Sequence, residues 1–429
     1  VFSNLGTTLI ANNVQRFLRG LELEEVEGAS ARGVNLKSLQ WKNESVVVEL
    51  QQLKMNNSLD VSIPTTLQVE SMQADKLIVK LLDNKNTAAT SEPFDLSAIE
   101  LPLNINAKQV AIKEVEIWQG DKPIRLQNVT LQAYAKGGQI QLEDLQAHID
   151  QLSVPQGEQT LQARTIDFSA DLLGNELKIK NLRGQIYDDQ GKADVAASGT
   201  VELKEPYPLN MTLQVDSASS KWGNGKATAK IGGELQNYTL DTNADWQYAN
   251  YPRYQGALKG KGTLQSLMID ALQLKGSVGN ILAKGQLSWQ DGIAWNVDVA
   301  GQRLNPQGFM KDMPAQLDTA FKSIGRIDAT GKPDIQLDVN LLKGKLRGYP
   351  VDAKGKGAWN GKVLLVENLD ALVGKNRLQA KGQASDQVQV EWKLDAPDLN
   401  QLYPKLHGNA KGNGTLQGLV NGSQLQLDV

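Results

Sequence analysis

Lys259-Gly260-Lys261-Gly262-Thr263-Leu264-Gln265 is a phrase that this chain repeats. It returns as Lys354-Gly355-Lys356-Gly357-Ala358-Trp359-Asn360 and as Lys411-Gly412-Asn413-Gly414-Thr415-Leu416-Gln417-Gly418. Ala283-Lys284-Gly285-Gln286 is echoed by Ala380-Lys381-Gly382-Gln383, with looser relatives at Ala197-Ser198-Gly199-Thr200-Val201 and Ile231-Gly232-Gly233-Glu234-Leu235. Strand-like runs flank each phrase. Self-similarity of this kind marks architectures in which each unit packs mainly on its neighbours. Glycine permits the bends and bulges of a sharply curved sheet. The phrase therefore reads as a register mark in a long, repetitive β structure.

The flanking runs alternate. Leu209, Met211, Leu213 and Val215 interleave with Asn210, Thr212 and Gln214. Ile335, Leu337, Val339 and Leu341 interleave with Gln336, Asp338 and Asn340, and Val388, Val390, Trp392 and Leu394 with Gln389, Glu391 and Lys393. A period of two gives each strand one apolar and one wet face. Two packed sheets could hide the apolar faces in a closed core, with no ligand involved. The chain of 429 residues, however, exceeds what one core usually serves. A meander curled lengthwise has another option, which is to keep the apolar faces as the lining of an open gutter. About 25–30 strands at roughly 4.8 Å each would make it on the order of 130 Å long. An uncharged lining of that size demands a ligand or partner, and Leu, Val and Ile suit acyl chains. The expected fold is mainly β: an elongated, curled antiparallel sheet forming a long apolar groove. The twelve apolar side chains just named are its candidate lining.

Composition narrows the chemistry. Hydrophobic residues make up 40% of the chain, yet the mean hydropathy is −0.37, so they are spread thinly and regularly. The absence of Cys excludes disulfides, thiolate metal sites and thiol catalysis. A net charge of −3 with interspersed signs is no nucleic-acid footprint. No run reaches the roughly 18 apolar residues that cross a bilayer as a helix.

In chain order, residues 1–20 carry Phe2, Leu5, Leu9, Val14, Phe17 and Leu18 near helical spacing, with Gly20 as a stop. They predict a helix that either caps the first strands or continues an anchor upstream. Residues 21–82 form a first β segment, 83–92 a polar loop and 93–222 a second β segment. Residues 223–429 form glycine-marked repeats of roughly 80–100 residues, open at the C-terminal end. Residues 305–323, with two prolines and no period of two, predict a short helical excursion, and Pro397 to Gly408 a shorter one. Catalytic residues and cofactors are not expected. No Gly-x-Ser-x-Gly, His-Glu-x-x-His or phosphate-loop pattern is present, and His148 and His407 sit in strand-like and turn contexts.

The order of these features resembles a known family. Gly20-Leu21-Glu22-Leu23-Glu24-Glu25-Val26-Glu27-Gly28-Ala29, continuing through Gly33-Val34-Asn35-Leu36-Lys37-Ser38-Leu39-Gln40-Trp41, is similar to the start of the TamB family of diderm bacteria. So are Pro93-Phe94-Asp95-Leu96-Ser97 and Val110-Ala111-Ile112-Lys113-Glu114-Val115-Glu116-Ile117, and Asp398, Leu399, Leu402, Pro404, Leu406 and Gly408 follow its internal repeat. The family is related to AsmA-like proteins and, by shape, to bridge-like lipid transfer proteins. The resemblance implies a single inner-membrane anchor upstream and a periplasmic β body with a long apolar groove. It also implies a C-terminal domain that meets a BamA-like outer-membrane partner, TamA. Phospholipids are then the expected cargo of a non-enzymatic conduit. An assembly factor for outer-membrane proteins and autotransporters is the alternative, and a β-solenoid adhesin a third reading.

Overall fold

The computed structural model describes residues 21–29, 33–42, 46–82, 100–101, 103–118, 120–139, 141–156, 159–188, 190–308, 313–419 and 425–428. The expected helix over residues 1–20 and the polar loop over 83–92 lie outside them. No described helix is long and apolar enough to cross a membrane. The chain divides into two compact units, residues 1–222 with 231–234, and residues 223–230 with 235–429.

In the first unit the strands are β1 (Leu21–Ala29), β2 (Gly33–Lys42), β3 (Val46–Asp60), β4 (Thr66–Leu81), β5 (Glu100–Leu101), β6 (Asn104–Trp118), β7 (Pro123–Lys136), β8 (Gly138–Gln139), β9 (Gln141–Gln156), β10 (Gln159–Leu173), β11 (Glu176–Asp188), β12 (Gly191–Glu202) and β13 (Pro208–Ser219). Successive long strands pair antiparallel, with one exception, because β4 lies parallel to β6. Parallel neighbours need a long return connection, and residues 82–103 join the two strands.

A crease gives this unit its core. Leu36 and Leu39 on β2 stand opposite Leu53 and Leu50 on β3. The same spacing of three recurs at Ala74/Leu77, Ile112/Val115, Leu126/Val129, Ile149/Leu152 and Ala163/Ile166, aligned strand to strand. Strict alternation would put such residues on opposite faces. Nevertheless Leu36, Leu50, Leu53, Ala74, Ile112, Val115 and Val129 are all buried in one cluster. The backbone turns over between them, and Gln52, Asn128 and Thr165 at that line have φ near +50°. A non-glycine residue in that region costs on the order of 1–2 kcal/mol, which burial on both sides of the crease offsets. Outside, the crease is polar: Lys113 Nζ lies 2.6 Å from Asp75 Oδ1, and Asn128 Nδ2 donates to Asp150 Oδ2 at 2.9 Å.

The second unit contains β15 (Asn237–Gln247), β16 (Tyr254–Gly262), β17 (Ser266–Gly276), β18 (Gly279–Ser288), β19 (Ile293–Leu304), β20 (Ala315–Ile327), β21 (Pro333–Leu346), β22 (Tyr349–Trp359), β23 (Leu364–Val373), β24 (Asn376–Ala384), β25 (Gln387–Ala396), β26 (Ala410–Leu419) and β27 (Leu425–Asp428), preceded by β14 (Gly223–Glu234). From β15 to β27 each strand pairs antiparallel with the next. The excursion expected over 305–323 is corrected here. One 3-10 turn, Pro306–Gly308, is present, and Ala315–Ile327 is a full strand. Its inward positions include Thr319 and Ser323 and its outward ones Ala320 and Ile324, so hydropathy alone hides the alternation. The second excursion is a 3-10 turn at Leu399–Gln401, capped by Asp398, whose side chain accepts from Asn400 N.

Candidate functional site

Register assigns each paired strand residue of the second unit to one of two faces, since paired residues share a face, and leaves the bulge residues, Asp270 and Glu367 among them, unassigned. Tracing partners from Tyr238 on β15 to Gly418 on β26 yields one face without a single Asp, Glu, Lys or Arg among the described residues. The other face is laced with ion pairs: Lys356 Nζ to Glu367 Oε2 at 2.8 Å, Lys381 Nζ to Glu391 Oε2 at 2.9 Å, and a two-pronged Arg377–Asp370 pair at 2.5 and 2.8 Å. The hydrogen bonds from Arg377 hold the Asp370 carboxyl below the usual carboxylate range.

The repeated phrase acquires a structural meaning at this point. β17, β21 and β23 each carry a bulge that turns their alternation into a spacing of three: Ile269/Leu272, Val339/Leu342 and Val366/Leu369 all face inward. Opposite them stand Gly285 and Ala283, Gly355 and Ala353, and Gly382 and Ala380. Each Ala-Lys-Gly thus sets its small residues against a neighbour's bulge and its lysine on the wet face. Gly382 must also stay small toward β25, the strand on its other side. Its φ is +143°, and a Cβ there would lie 2.2 Å from the Gln389 carbonyl oxygen.

Because glycine removes bulk, the face is hollowed. A depression of about 410 Å³ lies over β21–β23, lined among others by Ile335, Leu337, Val339, Leu342, Trp359, Leu364, Val366 and Leu369. Gly355 and Gly357 form part of its floor. These side chains are not a sealed core: Leu337 is 42%, Trp359 44% and Leu364 48% exposed. Large apolar groups are thus left open on three neighbouring strands, β21, β22 and β23.

Ile335, Leu337 and Val339 share this face with Val388, Val390, Trp392 and Leu394, linked through the register of β22, β23 and β24. Leu341 does not. It stands opposite Ala320 whereas Val339 stands opposite Phe321, so the bulge at Asn340 turns Leu341 outward and Leu342 inward. In the first unit, Leu209, Met211, Leu213 and Val215 share one face with Val201, Gly199, Ala197 and Val195 of β12. Trp359, Leu364, Val366, Leu342 and Leu369 line the hollow without being among the twelve expected residues, and for Leu342 and Leu369, as for Leu272, the available signal was the spacing of three beside an Ala-Lys-Gly.

His148 lies on the wet face of β9. Its Nδ1 is 2.7 Å from Asp167 Oδ1 and its Nε2 3.1 Å from Asp150 Oδ1. The bond to Asp167 raises its pKa above the usual histidine value of about 6.5, with burial opposing and Asp150 assisting. A raised folded-state pKa contributes stability that is present below pH about 6.5 and lost as pH rises through the shifted value. We expect the His148 ring to titrate above 6.5 by NMR. The small loss of urea resistance between pH 6 and pH 8.5 should disappear in His148→Gln.

Comparison with known proteins locates this architecture. The family model described as TamB, N-terminal domain, matches residues 1–165 and 225–429. The translocation and assembly module subunit TamB of Haemophilus influenzae is 29% identical over 250 residues, which cover 56% of this chain and 19% of that relative. The match thus spans about a fifth of that relative's length. No solved structure matches significantly.

Proposed function

The chain belongs to the TamB N-terminal domain family, and from that premise we propose that it shields phospholipid acyl chains in transit across the periplasm between inner and outer membrane. The observation that carries this reading is the face running from β15 to β26 without a charged residue, hollowed by glycine and left partly open. An acyl methylene costs about 0.8 kcal/mol to expose to water, so a chain of roughly 15 costs about 12 kcal/mol. Covering that surface is the whole task. The wet head group stays outside, no bond is made or broken, and the function needs no enzyme. On this proposal the single-pass anchor lies in the inner membrane upstream. The partner is the TamA subunit of the translocation and assembly module, met through a region beyond the matched span.

A specific experiment separates this from assembly of outer-membrane proteins, in which unfolded strands would add to a sheet edge. Native mass spectrometry of the gently purified full chain should show bound phospholipid that exchanges with added vesicles. Bound polypeptide without phospholipid would transfer the function to the assembly reading.

A further inference from the structure

The meander of the second unit has two rims, and they differ in charge. The turns after β17, β19, β21, β23 and β25 lie at one end of the strands, and those after β16, β18, β20, β22 and β24 at the other. At the second rim charges balance: Lys261, Arg326, Lys332 and Lys362 against Asp291, Asp328, Asp334 and Asp386. It also exposes large apolar side chains, with Leu264, Trp289, Ile293, Ile327, Trp359 and Leu364 between 36% and 56% exposed. The first rim is basic. Each successive hairpin places one exposed cation there: Lys275, Arg303, Lys345, Lys375 and Lys405. None of the five side chains has an ion-pair partner among the described residues. The other cations of that rim are engaged: Arg253 with Asp245, Arg377 with Asp370, Lys411 with Asp395, and Arg347 with the Leu402 carbonyl and the Tyr403 ring.

We propose that this rim is a rail for anionic phosphoryl head groups. The lipids lie across the strands, phosphate at the basic rim and acyl ends toward the apolar one. The inference rests on the conduit reading and names the class of lipid it favours: phospholipids of net negative charge, phosphatidylglycerol-like, over zwitterionic ones. Cations two strands apart are separated by about 10 Å, so a head group midway lies about 5 Å from each, inside the Debye length of roughly 8 Å at physiological salt. Free positive charge next to an uncharged apolar lining matches an anionic head group on an acyl tail. A strand such as β22, 11 residues long, has a contour of about 36 Å, enough to take a phospholipid from head to tail.

The test is the lipid class carried by the full chain. Purified protein is loaded from vesicles of phosphatidylglycerol and phosphatidylethanolamine in equal amounts, and the bound lipids are extracted and quantified. Wild type should be enriched in phosphatidylglycerol. Lys275→Glu, Lys345→Glu and Lys375→Glu combined should reduce the bound ratio at least about fivefold. These residues are exposed and hold no ion pair, so the variant keeps its fold, which circular dichroism checks. An unchanged ratio in the folded variant overturns the rail. Wild type without any phospholipid overturns the conduit reading and the rail with it. Vesicle pelleting tests the remaining source, a bilayer docked on the rim from outside. If Leu337→Arg empties the hollow yet the chain still pellets with phosphatidylglycerol vesicles through the three lysines, the rim is a membrane-docking surface and the rail is wrong.

Discussion

Leu337→Arg is expected to strip phospholipid from the hollow of the second unit while leaving the sheet folded. Leu337 lies between Ser323 on β20 and Gly357 on β22, so a longer side chain has room over small neighbours. It is 42% exposed, and the loss of its packing costs only about 1 kcal/mol of stability. A guanidinium against acyl chains is far more costly. Placing Arg in hydrocarbon costs about 2.5–3.5 kcal/mol by insertion scales, on the order of a 100-fold loss of affinity. Lipid per protein by mass spectrometry should fall to background at an almost unchanged urea midpoint. Gln336→Arg, one residue earlier on the wet face, should change neither. Full lipid content in a folded Leu337→Arg chain would remove the apolar face from the transport path.

Gly382→Val should cost the second unit several kcal/mol. Gly382 has φ +143°, and an added Cβ would meet the Gln389 carbonyl oxygen at 2.2 Å and Val390 Cα at 2.7 Å. Both are backbone atoms of β25, so relief requires breaking the β24–β25 ladder, where Gly382 stands opposite Val390. Strain of about 1–3 kcal/mol from the φ adds to an overlap that no rotamer change relieves. Gly348→Ala separates the two contributions. Its φ is +87° and no atom lies within 4 Å of the added Cβ, so it should lose only about 1 kcal/mol. Urea unfolding of the two variants measures the difference. Equal losses would mean that close approach of the strands is not why glycine recurs in the phrase.

Much of the site was legible in the sequence. Val388, Val390, Trp392 and Leu394 alternate without interruption, and β25 has no bulge, so period and face agree along its length. Ile335, Leu337 and Val339 were legible for the same reason. Leu341 was not, because a one-residue bulge at Asn340 turns it outward although the letters alternate through it. Ala315–Ile327 was hidden by Thr and Ser inside and by Ala and Ile outside. In the first unit the recurring pairs three apart, such as Ile112/Val115 and Ile149/Leu152, interrupt a period of two in the letters. Their alignment across strands into one crease depends on which strand neighbours which.

Sequence by itself determined a one-sided β architecture: period two, scattered charge and a glycine phrase repeated at matching places, because side-chain alternation is a local property of an extended chain. Only the tertiary structure decided where the faces turn over and which strand ends gather on one rim. Bulges and pairings are set between strands that no local window contains. The glycine of each Ala-Lys-Gly in the second unit therefore marks a position opposite a neighbour's bulge, and the lysines at successive hairpins become a row only when the sheet has formed.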